Sequence, residues 1–467
     1  MKSCFVLLGV LFFVFACTAC CLGGGGFALP GVGSKAMSMG GAFRAMADDW
    51  SAAFWNPAGL AYLPNSEFST DLYVLNLRPE YTPEMKLGES GNSYSIGYPE
   101  GTHYPEDRAF FLPSFSGFYK FTQLAGFTGG VAFYVPYKLE DKWDLYKPPS
   151  GFDESVPYPK FDYQTDILIW DLHPTVAKTF MEGKLSLGLG VNIDRAKFNL
   201  RRPVLVSTTL ERPYDFFPVD ERMQTDGWGI GFNAGVLYKA SPKLQFGFSY
   251  QSPIDIDLSG SMDLEMYLPY IYTSESQLQG GTKVYRDGDF KATLPLAGEV
   301  GVGAMFKPTE KLTLTCDVSL DNWSRLDHID IKDMTLATGG QDTIYVGVRE
   351  TELPFSWDDI VKVSLGGEYL LKDNLFVRGG YFFEQNPIPN STFTLLIPEV
   401  GDQHSFNLGL SYKTGSFELG YDYQLVAYKK RNVTTIEDVN GDGRFDNMVG
   451  TYKMLSHFSG FSFTYRF

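Results

Sequence analysis

Strict alternation of apolar and polar residues, kept up over unusually long segments, constrains this chain most. From 185 to 193 every odd position is aliphatic (Leu185, Leu187, Leu189, Val191, Ile193), and every even one is Ser, Gly or Asn. Trp228, Ile230, Phe232, Ala234, Val236 and Tyr238 alternate with Gly229, Gly231, Asn233 and Gly235, and the same pattern recurs at 406–413 and 417–425. A period of two describes a strand with one apolar face and one wet face. These segments run about ten to sixteen residues, where soluble strands average about five or six. A tilted strand crossing a bilayer needs roughly nine to eleven. The apolar faces end in Tyr, Trp and Phe, the residues of interfacial girdles. A transmembrane β-barrel therefore fits better than a soluble sandwich, whose strands also alternate.

The connections supply a strand count. Alternating segments lie near 67–77, 110–121, 126–137, 162–180, 184–200, 226–239, 243–258, 290–307, 311–327, 356–371, 375–386, 403–413, 416–429 and 452–467. Short turns such as Met181–Gly183, Ala240–Pro242 and Thr414–Gly415 alternate with long polar links such as 138–161, 201–225 and 259–289. Bacterial barrels pair short periplasmic turns with long external loops and an even number of strands. The expectation is an all-β, 14-stranded antiparallel barrel over 65–467, with both chain ends on the periplasmic side. Phe461, Phe463, Tyr465 and the terminal Phe467 share one face of the last segment, an ending rare in soluble proteins.

The head of the chain differs. Residues 1–22 carry Lys2 and then an apolar run, the pattern of a secretory signal cut between about 19 and 28. A lipoprotein reading at Cys17 or Cys20 is a minor alternative. Four of the five cysteines lie in this region and only Cys316 lies beyond it, so no disulfide framework is expected. No later stretch is long and apolar enough for a membrane helix. The formal charge of -16 argues against a nucleic-acid partner. Residues 23–64 are rich in Gly, Ala and Met and lack the alternation. Fourteen strands leave a sizeable hole, and this segment suits a helical plug (hatch) inside it. Asp48 is expected to cap a helix over about 49–55. Pro57 biases Asn56 out of the helical region and ends it. Met37, Met39, Phe43, Met46, Trp50, Phe54 and Trp55 would line a partly apolar conduit, since Met adapts to irregular apolar ligands.

The chain resembles the FadL/TodX family of outer-membrane transporters for long-chain fatty acids and other hydrophobic compounds. The resemblance rests on Gly31-Val-Gly-Ser-Lys-Ala36, Gly40-Gly41-Ala42, Ala47-Asp48-Asp49 and Asn56-Pro57-Ala58 in the hatch. It continues in 226–237, 247–254, Leu294-Pro295, Gly301-Val-Gly303, 312–323, Trp357-Asp358 and Arg378-Gly-Gly-Tyr381. It covers nearly the whole mature chain. It implies passive, ligand-gated uptake: capture in an external groove, a site inside the barrel, a shift of the hatch N-terminus, and sideways exit beside a kinked third strand. Asp48, Asp49, Asn56, Pro57 and Ala58 would then belong to the gating element. Gly129, Gly130 and Pro136 weaken ladder bonding in the third strand and are the kink candidates. A carboxylate cargo would want a luminal cation. Parity turns Arg378 inward, where it serves either that role or pairing with acids such as Glu384.

Other motifs carry less. Asp438, Asn440 and Asp442 begin a calcium-loop pattern, with Asp446 nearby, but position 12 is Val449 in place of the bidentate Glu. Calcium is a weak expectation, an Asx turn the stronger one, and no other cofactor is indicated. The five histidines lack metal spacing. No nucleophile motif suggests an enzyme. A general diffusion porin, or a barrel serving as adhesin or scaffold, are the competing functions. The expected partners are a hydrophobic small molecule and outer-membrane lipids, with the protein a monomer.

Overall fold

A computed structural model describes residues 25–84, 100–106, 109–121, 123, 126–145, 162–207, 216–267, 271–272, 277–278, 283–336, 352–441 and 445–467. The signal region lies outside these residues.

The strands close into one antiparallel barrel of fourteen. In chain order they are β1 (Glu67–Pro83), β2 (Ala109–Phe121), β3 (Phe127–Trp143), β4 (Tyr163–Phe180), β5 (Leu185–Ser207) and β6 (Phe216–Ser241). Then come β7 (Leu244–Gln251, resuming as Ile254–Tyr267) and β8 (Lys283–Leu296, resuming as Glu299–Phe306). β9 (Leu312–Asp321), β10 (Ile360–Lys372), β11 (Leu375–Glu384), β12 (Gln403–Thr414), β13 (Phe417–Tyr428) and β14 (Gly450–Arg466) complete the wall. Each strand pairs with its sequence neighbour. β1 closes the ring on β14 from Glu67↔Arg466 to Pro83↔Gly450.

Near the short-turn end the apolar face of each strand points outward: Phe68, Leu189, Ile230, Val302, Leu408 and Phe461 are all exposed. Exposed apolar side chains on nearly all strands around a closed wall form the surface that lipid covers. Several strands run past this band. β5 and β6 pair as far as Ser207↔Phe216, so much of the polar link expected over 201–225 is hairpin. Beyond the band the pattern inverts. Ile256, Leu258, Leu264, Phe290 and Leu294 are buried inside, whereas Asp255 and Asp257 are exposed. In β7 and β8 the inversion occurs at the two adjacent breaks, Ser252–Pro253 and Ala297–Gly298. There Ser252 Oγ accepts the Phe232 amide at 2.9 Å and Asn322 Oδ1 accepts the Gly298 amide at 2.6 Å. The lumen consequently holds two apolar cores. One surrounds the N-terminal segment; the other fills the long-loop half and includes Phe27, Trp323, Trp357, Phe393 and Leu395.

Candidate functional site: plug, strap and wall gap

Residues from Gly25 onward lie inside the barrel. The plug body has a helix α1 (Ser34–Ser38), a helix α2 (Ala52–Trp55) and a 3-10 turn (Pro57–Tyr62). α1 was not expected from the sequence, and α2 starts later than expected. Asp48 is not its cap. Asp49 Oδ1 instead accepts the Ser51 amide (2.9 Å) and hydroxyl (2.6 Å), while Asp48 forms an ion pair with Lys35 at 2.7 Å. Asn56 is extended (φ -165°), as the following proline favours.

Luminal glycines seat this body. A Cβ on Gly235 would lie 2.0 Å from Asn56 Oδ1, on Gly188 2.2 Å from the Pro57 carbonyl carbon, on Gly247 2.2 Å from the Arg44 carbonyl oxygen, and on Gly380 2.1 Å from the Met39 carbonyl carbon. The small residues opposite the apolar face therefore do not line water at this depth; they admit plug backbone where no side chain would fit. Polar wall groups then satisfy that backbone. Ser186 Oγ donates to the Ala58 carbonyl (2.6 Å), Gln245 Nε2 to Ala45 (2.6 Å) and Asn233 Nδ2 to Ala53 (2.6 Å). Asp317 Oδ2 accepts the amides of Phe43 (2.8 Å) and Arg44 (2.7 Å), and Asp71 Oδ2 accepts that of Ser34 (3.0 Å). Asn56 is central: its Nδ2 donates to the carbonyls of Arg44 (2.8 Å) and Val236 (3.2 Å), and its Oδ1 accepts the Ala58 amide.

Two buried cations of the plug, not anticipated from the sequence, lock it to the wall. Arg44 pairs with Glu299 and lies 3.7 Å from Asp317, and Lys35 lies 3.5 Å from Glu368. Their only sequence signal is that they are isolated cations in a Gly/Ala/Met stretch. Arg378 does face inward. It pairs with Glu368 at 2.7 Å and donates to Ser411 Oγ at 2.9 Å, so it is committed to the wall; Glu384 is held by Lys362 instead.

The greasy candidates are placed differently from expectation. Met37, Met39, Phe43, Met46, Trp50 and Trp55 are buried between plug and wall, while Phe54 is half-buried, 5.7 Å from the Tyr134 ring. A cavity in the lumen, among the described residues, lies beyond them. It is lined by Gly26–Pro30 with Leu75, Leu77, Lys138, Glu399, Tyr428 and Phe458. A second cavity opens toward the long loops, between Leu353, Phe355, Trp357, Ile388 and Leu396. Phe27 stands between the two. Its ring centroid is 5.7 Å from Tyr137, 5.5 Å from Trp323 and 5.7 Å from Trp357.

Next to this aromatic cluster the wall is open. β2 and β3 pair only from Phe115↔Phe133 to Phe121↔Phe127, so Ala109–Ser114 of β2 have no partner on β3. The cause is a bulge at Val135–Pro136: β3 and β4 are in register up to Tyr134↔Asp171 and resume at Tyr137↔Ile169. Of the kink candidates, only Pro136 sits at the break. Gly129 and Gly130 lie in unbroken ladder; a Cβ on Gly130 would strike the Gly117 carbonyl at 2.0 Å, so Gly130 relieves crowding, whereas one on Gly129 would meet nothing closer than 3.5 Å. The plug's N-terminal strap takes the edge that β2 leaves. Ala28 bridges Tyr137, and the Leu29 amide donates to the Pro136 carbonyl at 2.9 Å.

The calcium pattern is used internally where it is described. Asp438 Oδ1 accepts the Gly441 amide and Asp446 Oδ2 the Val439 amide, and no metal-holding group of acids, His or Cys occurs among the described residues. Asp442 lies outside them.

The family described as outer membrane protein transport protein (OMPP1/FadL/TodX) matches residues 15–467. Outer membrane protein P1 of Haemophilus influenzae is 25% identical over 417 residues, 81% of each chain. A long-chain fatty acid transport protein of Salmonella typhi is 26% identical over 201 residues, 42% of each chain. Among solved structures, a Pseudomonas aeruginosa FadL homologue superposes with a TM-score of 0.74 at 20% identity, over 95% of this chain and 100% of that one. The Pseudomonas putida toluene transporter TodX superposes with a TM-score of 0.68 at 16% identity, over 94% and 99%. The chain belongs to the OMPP1/FadL/TodX family of outer-membrane transport proteins.

Proposed function

We propose that the chain admits hydrophobic molecules passively through the outer membrane, with the strap Gly25–Leu29 as the gate. Cargo collects in the apolar groove between Leu353, Phe355, Trp357, Ile388 and Leu396. Displacement of Phe27 joins that groove to the inner cavity, whose free volume of ≈ 40 Å³ is too small for any cargo while the strap is docked. The same displacement strips Ala28 and Leu29 from β3, so the inner cavity opens sideways between β2 and β3. Cargo then leaves without crossing the plug body. The observation that carries this reading is the β2–β3 ladder ending at Phe115↔Phe133, with the strap on the freed edge. Two largely apolar cavities parted by Phe27, above a sealed floor, favour an apolar cargo over the porin and scaffold alternatives.

The test uses full-length protein in liposomes. A labelled hydrophobe should reach the interior at a protein-dependent rate, while sugars produce no osmotic swelling. Brisk sugar passage without uptake of the hydrophobe would contradict the proposal.

A further inference from the structure

The two ends of the barrel treat their cations differently. Toward the long-loop end of β4–β9 the cations are neutralised: Arg195 pairs with Asp226, Lys197 with Asp166, Arg201 with Asp220 at 2.7 Å and Arg325 with Asp255 at 2.6 Å. At the other end of the same strands, three consecutive short turns are each flanked by two lysines: Lys178 and Lys184, Lys239 and Lys243, Lys307 and Lys311. None of the six pairs with a carboxylate among the described residues. Glu182 and Glu310 are the acids on these turns, so the arc keeps a positive excess in a chain whose formal charge is -16. The remaining sector of the same rim does not share this: Lys413 pairs with Glu418 at 3.4 Å and Arg466 with Glu67 at 3.1 Å.

The backbone sets these lysines side by side. The Lys239 amide donates to the Lys184 carbonyl and the Lys307 amide to the Lys243 carbonyl, both at 2.8 Å. Like charges brought together on paired strands repel, and Lys239 lies in the field of Lys307 and Lys120 as well. Lys239 leans inward, its ammonium 3.4 Å from the centroid of the Tyr62 ring. Lys184, Lys243, Lys307 and Lys311 are exposed. Repulsion left uncompensated within the protein is relieved by an anion outside it.

The height of the arc says which anion. Phe180, Tyr238 and Phe306 are exposed on the outer wall, each within two residues of one of the lysines. The Lys178 ammonium lies 5.6 Å from the centroid of the Phe180 ring. Aromatic girdles mark the boundary between hydrocarbon and headgroups, and an ammonium on a long stem reaches from there into the headgroup layer. Neighbouring strands lie roughly 4.8 Å apart, so lysine pairs recur about every 10 Å along the wall. A curved line of charge at headgroup height follows the ring of lipids around a barrel; a soluble partner would be better served by a compact patch.

We propose that the short-turn rim of β4–β9 binds the headgroups of anionic phospholipids in the adjoining leaflet, in preference to zwitterionic ones. This requires only that the barrel lies in a membrane, and it is independent of the uptake reading above.

The test uses the full chain in phosphatidylcholine bilayers with a trace of spin-labelled phosphatidylglycerol or spin-labelled phosphatidylcholine. Electron paramagnetic resonance reads the fraction of each probe immobilised on the barrel. At low salt the phosphatidylglycerol probe should be favoured about two- to fourfold. The ratio should fall toward one in about 1 M NaCl, where the screening length is about 3 Å. Lys184→Gln, Lys243→Gln, Lys307→Gln and Lys311→Gln combined should remove most of the preference; all four side chains are exposed, so the barrel should still form. Arg195→Gln with Asp226→Asn, a charge-neutral change at the far end, should leave the ratio unchanged. Equal fractions in the parent protein at low salt overturn the proposal and leave the rim to an acidic soluble partner. A preference that survives the four substitutions, or that ignores salt, overturns it too.

Discussion

The plug is held in two different ways on either side of Pro30. The body, from Ser34 to Tyr62, rests on glycines of at least five strands, is bonded to wall side chains along its length, and is pinned by Arg44 and Lys35. The strap before it is attached by few polar contacts: the Ala28–Leu29 pairing to β3 and the Gly25 amide on Glu399. Most of its hold is the Phe27 ring. Removing the body would leave several buried ionic and polar groups unpaired, each costing about 1–3 kcal/mol, more when charged. Releasing the strap exposes one ring and a few backbone groups. On the proposed reading, the strap is the part that moves and the body the part that keeps the barrel closed.

Arg44→Ala should do the largest damage to that contrast. It leaves Asp317 buried and Glu299 half-buried without their cation, a loss of about 3–5 kcal/mol where a buried pair is broken from one side. Proteolysis should then cut within 31–60 while the barrel stays heat-resistant; a protected body in this variant would show that the ionic lock is dispensable. Gly235→Leu comes next. Its side chain would enter the space of Asn56 and Pro57, an overpacking cost of about 1–3 kcal/mol. We expect an unseated body and ion conductance in planar bilayers, against a nearly silent parent. Phe27→Ala should loosen the strap while the barrel's own melting changes little, because the ring contributes nothing to the strand ladders. It should still speed uptake in liposomes several-fold. A barrel melting markedly lower in this variant would mean that strap and body are not separable.

Much of this architecture is legible in the residues. The strand number follows from alternating short and long connections, and the period of two marks the lipid face, because one solvent lies outside and another inside. The plug stands out as the segment without that period. What was not legible has physical causes. Gly188 and Gly235 read as a wet face, since a small residue facing water and one facing backbone are written alike. The inversion at Ser252–Pro253 was hidden because apolar residues continue at even positions from Phe248 through Ile254 to Leu258; only their side of the wall changes. In β3 the adjacent Gly129 and Gly130 drew attention from the true break, where the bulge at Val135–Pro136 adds a residue with no composition signal except the proline. The cavity lining was missed because its key ring, Phe27, lies ahead of the Met- and Trp-rich body, in a glycine-rich stretch without periodicity.

The central claim is that the strap must leave β3 for cargo to pass. Ala28 and Tyr137 are directly bridged antiparallel partners. Such pairs place their Cα atoms roughly 4.5–5.5 Å apart, within the span of a disulfide. The most direct measurement is uptake of a labelled hydrophobe into liposomes by Ala28→Cys/Tyr137→Cys in a Cys316→Ser background, before and after oxidation. The account predicts that uptake stops when the bridge forms and returns on adding reductant. Undiminished uptake with the bridge closed would contradict it.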